Sequence, residues 1–485
     1  MLLADLFPAA GMPVHFAGRE VRGLSVHSGT VEPGFVFFAV PGVNANGLAF
    51  APQAIAKGAI AIVAESDPET AFDETAFIKV PDVRTSLSFT SARFYQGQPE
   101  TTVAITGTSG KTSVAAFTRQ IWAKLGKSAA SLGTLGIVAP MGANYGSLTT
   151  PDPIQMHRAM ARLSDEGVTH LAMEASSHGL IQHRLDAVRL KAGAFTNLSR
   201  DHLDYHATLD DYFNAKMRLF DTLLHNGQPA VVDADSDVAS KVISVCEARG
   251  LQLFTIGAKG AALRVMSVRP ETLVSHLELA YEGQIYPVRL PLAGDFQVSN
   301  ALVAAGLCIV TGSPAETVFA ALEQLEGAPG RLELVGDLNG APIFVDYAHK
   351  PDALDKALRT LRRLTSNNLV VVFGCGGDRD TGKRPIMGEI AARLADRVIV
   401  TDDNPRSEDP ASIRRSVLEG AGAVSHVREI GDRAIAIAES IAALQPGDVL
   451  LIAGKGHETG QIIGSQTLPF SDSECAKSVL KGFGA

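Results

Sequence analysis

The stretch Thr101–Thr112 reads T-T-V-A-I-T-G-T-S-G-K-T: an apolar run that stops at glycine and opens on a lysine and a threonine. Val103–Thr106 has the length and continuity of a buried parallel strand, and Ser113–Leu125 behind it has a helical pattern. A strand, a glycine loop and a helix in that order form a phosphate cradle. Glycines let backbone N–H groups approach phosphate oxygens, and the helix N-terminus adds favourable partial charge. In such a loop Gly107, Thr108, Ser109, Gly110 and Ser113 line the phosphates. Lys111 reaches the β- and γ-phosphates, and the Thr112 hydroxyl ligates Mg2+. Ile105 stands where the full G-x-x-x-x-G-K-[ST] pattern has its first glycine, so the strand–loop–helix context carries the reading.

The same pattern recurs outward from this loop. Leu171–Met173 runs into E-A-S-S-H, Ala192–Thr196 into N-L-S-R-D-H, and Ile343–Val345 into D-Y-A-H. Val370–Phe373 runs into G-C-G-G-D-R-D, Val398–Thr401 into D-D-N-P-R, and Val449–Ala453 into G-K-G-H-E. Open α/β sheets bind ligands beyond the carboxyl ends of their strands, so seven strand ends are where chemistry is expected. Before them, Phe35–Val40 and Ala59–Val63 alternate with helical patterns, as in a small α/β domain. The polar break Tyr95–Glu100 and the turn-like A-P-G-R at Ala328–Arg331 are the candidate boundaries. The expected organisation is three α/β domains: residues 1–98, a central phosphate-loop domain at 99–329 with a parallel-rich sheet, and a further αβ series at 330–485.

Bulk properties narrow the function. A chain of 485 residues fits about three domains. Its formal net charge of -9 speaks against non-specific binding to nucleic acid or anionic membranes. One Trp and seven Tyr give no extended base-stacking surface. Cys246, Cys308, Cys375 and Cys475 form no CxxC pair, which argues against a zinc knuckle or a disulfide scaffold and suits a reducing cytoplasm. The opening M-L-L-A-D-L-F-P-A-A-G-M-P reads as no signal peptide, and no apolar run is long enough to span a bilayer.

Other residues carry weaker signals on their own. Glu174 at a strand end could hold Mg2+, or could serve in an ion pair or a helix cap. His202 alone reads as a structural hydrogen-bonder, and Lys216 as an exposed helical lysine. Thr149-Thr150-Pro151-Asp152 is a loop entering a helix. Ser176 to Arg184 supplies hydroxyls, an amide and a guanidinium suited to a carboxylated, pyrophosphate-bearing ligand, or equally helix caps and surface polar groups. Arg331 suits either a salt bridge or charge developing on a transferring phosphoryl group.

T-G-T-S-G-K-T resembles the ATP loop of the Mur ligases and folylpolyglutamate synthetases, and the order and spacing of E-A-S-S-H, N-L-S-R-D-H and Y-F-N-A-K resemble the Mur ligase metal motifs. The resemblance covers nearly the whole chain and is strongest from about Thr102 to Glu458. It implies that the αβ series at 330–485 is Rossmann-like. It also implies ATP as co-substrate and two Mg2+ ions, one at Thr112 and Glu174, the other at His202 and a carbamylated Lys216. A lysine shielded from water loses its charge more easily, and reaction with CO2 makes it an anionic oxygen ligand. With Lys111, these residues form the implied catalytic set. Thr149, Thr150, Ser177, Gln182 and Arg184 are implied contacts of a UDP-MurNAc-dipeptide. So is Ser28 in the N-terminal domain, although His27-Ser28-Gly29 stands where the family commonly has Asp-Ser-Arg. Gly294–Asn300 resembles the family's adenine segment, with Gln297 for its first asparagine and Asn300 keeping the second. Arg331, Asp346 and His349 resemble elements folded over ATP.

Asp403-Asn404-Pro405-Arg406 resembles the D-N-P-R of members that add meso-diaminopimelate. Lysine-adding members lack that arginine. Meso-diaminopimelate has a distal carboxylate that a guanidinium grips in a fork, whereas lysine offers only an ammonium that an arginine repels. Arg379, Gly454 and Glu458 complete the implied pocket, with Glu458 suited to the distal ammonium. The implied activity joins meso-diaminopimelate to the D-Glu γ-carboxylate of UDP-MurNAc-L-Ala-D-Glu through an acyl phosphate, in the cytoplasm. Two alternatives stand beside it: a sister amidoligase adding lysine or extending folate, and a non-catalytic nucleotide-binding regulator. Oligomeric state is not legible.

Overall fold

The computed structural model describes residues 1–8, 13–42, 46–70, 72–144, 148–201, 205–271 and 273–483. The chain divides into two compact units, residues 1–265 with 302–321, and residues 266–301 with 322–485. Among the described residues no helix is long and apolar enough to cross a membrane.

The first unit opens with a four-stranded parallel sheet in the order β1 (Gly23–Ser25), β2 (Phe35–Phe38), β3 (Ala61–Ala64) and β4 (Ala76–Lys79). Both its faces are covered. Val36, Phe38, Ala61, Val63 and Ile78 belong to one apolar cluster, and Phe37, Ile62 and Ala64 to another. The helix Val83–Tyr95 follows, its Asp82 side chain accepting from the Thr85 N–H. That is the N-cap arrangement that satisfies one orphan donor of the first turn.

The larger sheet of this unit comprises β5 (Thr101–Thr106), β6 (Ala129–Gly133), β7 (Gly136–Ala139), β8 (Gly142–Asn144), β9 (His170–Glu174), β10 (Ala192–Phe195), β11 (Pro229–Asp233), β12 (Gln252–Gly257) and the start of β13 (Leu263–Glu271). Its order from β12 is β12-β11-β10-β5-β9-β6-β7-β8. Strands β12 through β6 are parallel, and β7 and β8 add an antiparallel edge. Strand β5 thus sits between β10 and β9, and the carboxyl ends of all three open on the same edge.

The second unit holds the antiparallel hairpin β14 (Val274–Tyr281) and β15 (Gln284–Leu290). Its main sheet comprises β16 (Glu333–Asp337), β17 (Pro342–Asp346), β18 (Leu369–Phe373), β19 (Arg397–Val400), β20 (Val427–Glu429) and β21 (Val449–Ala453), in the order β16-β17-β21-β18-β19-β20. All neighbours are parallel except β16 with β17. Alternate residues enter two cores: Phe344, Val371, Val398 and Leu451 on one face, Ile343, Val370, Ile399 and Leu450 on the other. Strands buried on both faces read as continuous apolar runs, which is why these were visible in the sequence. A short hairpin, β22 (Gly460–Ile463) and β23 (Gln466–Pro469), follows β21.

Candidate functional site

All seven apolar runs that end in polar clusters are parallel strands, β5, β9, β10, β17, β18, β19 and β21. In the first unit, Gly107–Gly110 joins β5 to the helix Lys111–Lys124. Gly110 has φ 88° and Gly107 has φ 141°, conformations that favour glycine. A Cβ on Gly107 would lie 2.0 Å from Thr196 Oγ1. Lys111 Nζ donates to the carbonyls of Gly107 at 2.9 Å and Thr108 at 3.0 Å, curling over its own loop. Thr112 and Ser113 are buried in the first turn of the helix.

The loop is braced by the end of β10. Asn197 Oδ1 accepts from Ser109 N at 3.0 Å, and Thr108 N donates to Asn197 O at 2.8 Å. Thr196 Oγ1 donates to Ser109 O, and Ser199 N to Thr108 Oγ1. N-L-S at the end of an apolar run is the sequence signal for this brace.

Glu174 closes β9 and is buried. Its Oε2 accepts from Thr112 Oγ1 at 3.1 Å and Thr134 Oγ1 at 3.2 Å, and its Oε1 from Thr134 N at 2.7 Å. A Cβ on Gly133 would come within 2.1 Å of Glu174 Oε1, so the carboxylate has a fitted seat. A carboxylate beside a hydroxyl at the mouth of a phosphate loop is a hard-oxygen donor set, the kind Mg2+ takes. Among the described residues no group of three or more His, Cys, Asp or Glu side chains gathers as a metal site. His202 lies outside the described residues.

Lys216, on the helix Leu209–Arg218, is buried rather than exposed. Its Nζ donates to Gly107 O at 2.9 Å and lies 4.0 Å from the centre of the Tyr212 ring. Lys216 and Lys111 therefore share one carbonyl of the phosphate loop.

The implied UDP-substrate residues gather beside Glu174. Thr149 Oγ1 is 3.0 Å from Thr134 Oγ1, and Thr150 Oγ1 donates to Glu174 O. Arg184 donates to Thr150 O and to Gln182 Oε1, and Gln182 in turn donates to Tyr205 Oη. Ser177 Oγ is 3.0 Å from His206 Nε2. Ser28, on the single turn Ser28–Thr30, donates to Gln53 Oε1 and has no hydrogen bond to these residues among those described.

In the second unit, Gly294 precedes the helix Asp295–Val310, so Gln297 and Asn300 lie within its first turns rather than ahead of it. Asn300 Nδ2 donates to Gln297 Oε1, and Gln297 Nε2 to Arg331 O. The Arg331 guanidinium stacks on Tyr347, 4.8 Å from the ring centre. Asp346 ends β17 and accepts from Leu332 N at 2.7 Å. Burial pushes its carboxyl up to about 6, against the pull of Arg331. His349 faces Tyr347 O, and burial with nearby Lys350 and Lys383 holds its imidazole down at about 3, hence neutral.

The ends of β18, β19 and β21 meet at D-N-P-R. A Cβ on Gly377 would strike Pro405 O at 1.9 Å, and one on Gly454 would lie 2.5 Å from Asp403 Oδ2. Those glycines let three strand-end loops close on one another. Asp403, Asn404 and Pro405 are buried, and Arg406 has φ 51°. Arg406 Nη1 donates to Gly377 O at 2.8 Å and Asn404 O at 3.5 Å, and among the described residues no carboxylate forms an ion pair with it. Asn404 Nδ2 donates to Glu458 Oε2 at 2.8 Å. Arg379 is exposed, its guanidinium turned to Asp378 O. A guanidinium held by neutral carbonyls beside a part-exposed carboxylate can receive a zwitterion.

Three family models match the chain. Mur ligase family, catalytic domain, matches residues 20–95; Mur ligase middle domain, residues 105–308; and Mur ligase, glutamate ligase domain, residues 330–456. A UDP-N-acetylmuramoyl-L-alanyl-D-glutamate–2,6-diaminopimelate ligase of Mesorhizobium japonicum is 54% identical over 481 residues, 99% of this chain and 98% of the relative. One of that name from Bradyrhizobium diazoefficiens is 56% identical over 468 residues, 96% of each chain. Among solved structures, an enzyme of the same name superposes with a TM-score of 0.73 at 32% identity, covering 100% of this chain and 99% of its own. Folylpolyglutamate synthase of Mycobacterium tuberculosis, complexed with ADP and AMPPCP, shares the fold at 19% identity, with a TM-score of 0.62 over 83% of this chain and 95% of its own. With relatives this similar over nearly their whole length, the chain belongs to the Mur ligase family.

Proposed function

We propose that this protein is an ATP-dependent amide-forming ligase that joins meso-2,6-diaminopimelate to the D-Glu γ-carboxylate of UDP-MurNAc-L-Ala-D-Glu, in peptidoglycan precursor synthesis. The observation that carries the acceptor assignment is Arg406, a half-buried guanidinium held by two backbone carbonyls in D-N-P-R, one loop from Glu458. The full-length likeness to enzymes named for that reaction supports the same assignment. We place the domains at residues 1–98, 99–329 and 330–485, with uridine recognition in the first.

The γ-carboxylate attacks the γ-phosphorus of ATP, the bond to ADP breaks, and an acyl phosphate forms. The amine of diaminopimelate then attacks the acyl carbon, a C–N bond forms, a proton is lost, and phosphate leaves. Gly107–Ser113 cradles the phosphates with backbone N–H groups. Lys111 leaves its two loop carbonyls to meet the transferring phosphoryl group, where a fixed cation stabilises developing charge. Thr112 and Glu174 would hold Mg2+, which would supply further offset to the repulsion between carboxylate and phosphate. Lys216 as a carbamate, with His202, is the proposed second ligand pair. The neutral amine adds to CO2, the N–C bond forms and a proton is released. Asn300, Arg331, Asp346 and His349 are the proposed adenosine and γ-phosphoryl contacts. Thr149, Thr150, Ser177, Gln182 and Arg184 orient the UDP-dipeptide, together with Ser28. Asp403, Asn404, Pro405, Arg406, Arg379, Gly454 and Glu458 form the amino-acid pocket. The setting is cytoplasmic, where these precursors are made.

Phosphate release tests the reading. It should require the UDP-dipeptide and meso-diaminopimelate together. Release with ATP alone, or with neither acceptor needed, would remove the ligase assignment in favour of an uncoupled ATPase or a nucleotide-binding regulator.

A further inference from the structure

Lys455, the lysine of G-K-G-H-E, is buried among the residues of the proposed amino-acid pocket. Its side chain is fully buried, on the loop after β21. Its Nζ donates to Asn404 Oδ1 at 3.0 Å and to Glu458 Oε2 at 3.0 Å. Asn404 Oδ1 also accepts from Ile462 N at 2.9 Å. Two donors on that oxygen fix which way the amide faces, so Nδ2 is turned onto Glu458 Oε2. Glu458 Oε2 thus takes two donors, while Oε1 has no protein partner among the described residues, and the side chain stays 30% exposed. One half of the carboxylate is pinned and the other is offered.

From this we infer that Lys455 is a positioning and specificity residue: it locks Glu458 and Asn404 in place and half-neutralises the Glu458 charge, so the pocket takes a zwitterionic end group in preference to a bare cation. This rests on the proposed diaminopimelate reading. The charges make the argument. With Lys455 present, Glu458 and Arg406 face the ligand over a second buried cation. A ligand end carrying both ammonium and carboxylate adds no net charge there. Buried Asp403 lies close to Lys455 and Glu458 but is the same for both ligands. An end carrying ammonium alone therefore meets the repulsion of Lys455 without the offsetting attraction of a carboxylate, and removing Lys455 relieves a repulsion that the zwitterion does not feel.

The test is steady-state kinetics with meso-diaminopimelate and L-lysine on the full chain, comparing the parent with Lys455→Met, Lys455→Gln and Lys455→Arg. In the Met variant, kcat/KM for meso-diaminopimelate should fall about tenfold or more, and the ratio of the two kcat/KM values should fall at least about tenfold. KM for ATP and the UDP-dipeptide should stay put. The Gln variant keeps a hydrogen-bond donor and a smaller volume change, and must show the same fall in ratio even if the Met variant does not fold. Lys455→Arg keeps the charge and must hold the parent's ratio. An unchanged ratio in the charge-removing variants would overturn the inference, because a merely structural role depresses both amino acids alike. A parent with no preference for meso-diaminopimelate would instead overturn the underlying reading.

Discussion

Lys111 and Lys216 both donate to Gly107 O, yet they do different work in the account. Lys111 is half-buried at the helix N-terminus and curls over two carbonyls of its own loop. Lys111→Ala should therefore abolish ligation while the thermal midpoint moves by no more than a few degrees. Near-parental turnover in that variant would remove the phosphate-loop argument. Lys216 is buried against Tyr212 and the loop. As a carbamate it would add an anionic oxygen beside the phosphates, so Lys216→Ala should lose about a hundredfold or more in kcat. Bicarbonate should not restore the variant, whereas a small carboxylic acid in solution should, by supplying the missing oxygen. A carbon-13 carbamate resonance should appear in the parent equilibrated with labelled bicarbonate and be absent from Lys216→Ala. A parent with no such resonance would sink the carbamate.

At the scale of elements, the loops of the proposed amino-acid pocket are held by a pair that touches no proposed ligand. Arg433 starts the helix Arg433–Ala442, and Asp472 starts the helix Asp472–Gly482. They form a fully buried two-pronged pair, Nε to Oδ1 and Nη2 to Oδ2, each 2.7 Å. Arg433 also donates to Ala453 O at the end of β21 and Asp402 O in the loop after β19. Removing one partner leaves the other charge buried and alone, which typically costs about 3–5 kcal/mol. Arg433→Met should lower the urea midpoint accordingly, and Arg433→Met with Asp472→Leu should recover part of the loss. A single variant as stable as the parent would mean the pair does not hold these loops. The elements were also where the sequence was most legible. Continuous apolar runs declared the parallel strands because both faces are buried. Antiparallel edges such as β7–β8 and β14–β15 lack that signature. Bonds such as Thr134 to Glu174 or Asn197 to Ser109 join residues 40 and 88 positions apart, so no local pattern announces them. Lys216 reads as exposed because helical periodicity places a side chain on a face without saying what lies opposite it. The division of the chain is a further case. The breaks near residues 98 and 330 follow composition, whereas residues 266–301 group with the C-terminal part, where Arg363 pairs with Asp295 and Gln297 donates to Arg331 O, contacts between distant positions that composition does not encode.

For the molecule as a whole, the central claim is that the acceptor of the proposed reaction is chosen at D-N-P-R. The proposed pocket carries a guanidinium that forms no ion pair among the described residues and a carboxylate with one oxygen on offer. A site built for a charged group rejects an analogue lacking it, because its own charge is then left unpaired. Losing such a pair costs about 2–5 kcal/mol, or roughly 30- to several-thousand-fold in selectivity. The decisive measurement is kcat/KM for meso-diaminopimelate and L-lysine, with UDP-MurNAc-L-Ala-D-Glu and ATP saturating, on the parent and on Arg406→Ala. The parent should prefer meso-diaminopimelate within that range. The variant should lose most of the preference through a raised KM for diaminopimelate, with KM for ATP unchanged. A parent that uses L-lysine as efficiently as meso-diaminopimelate would contradict the account.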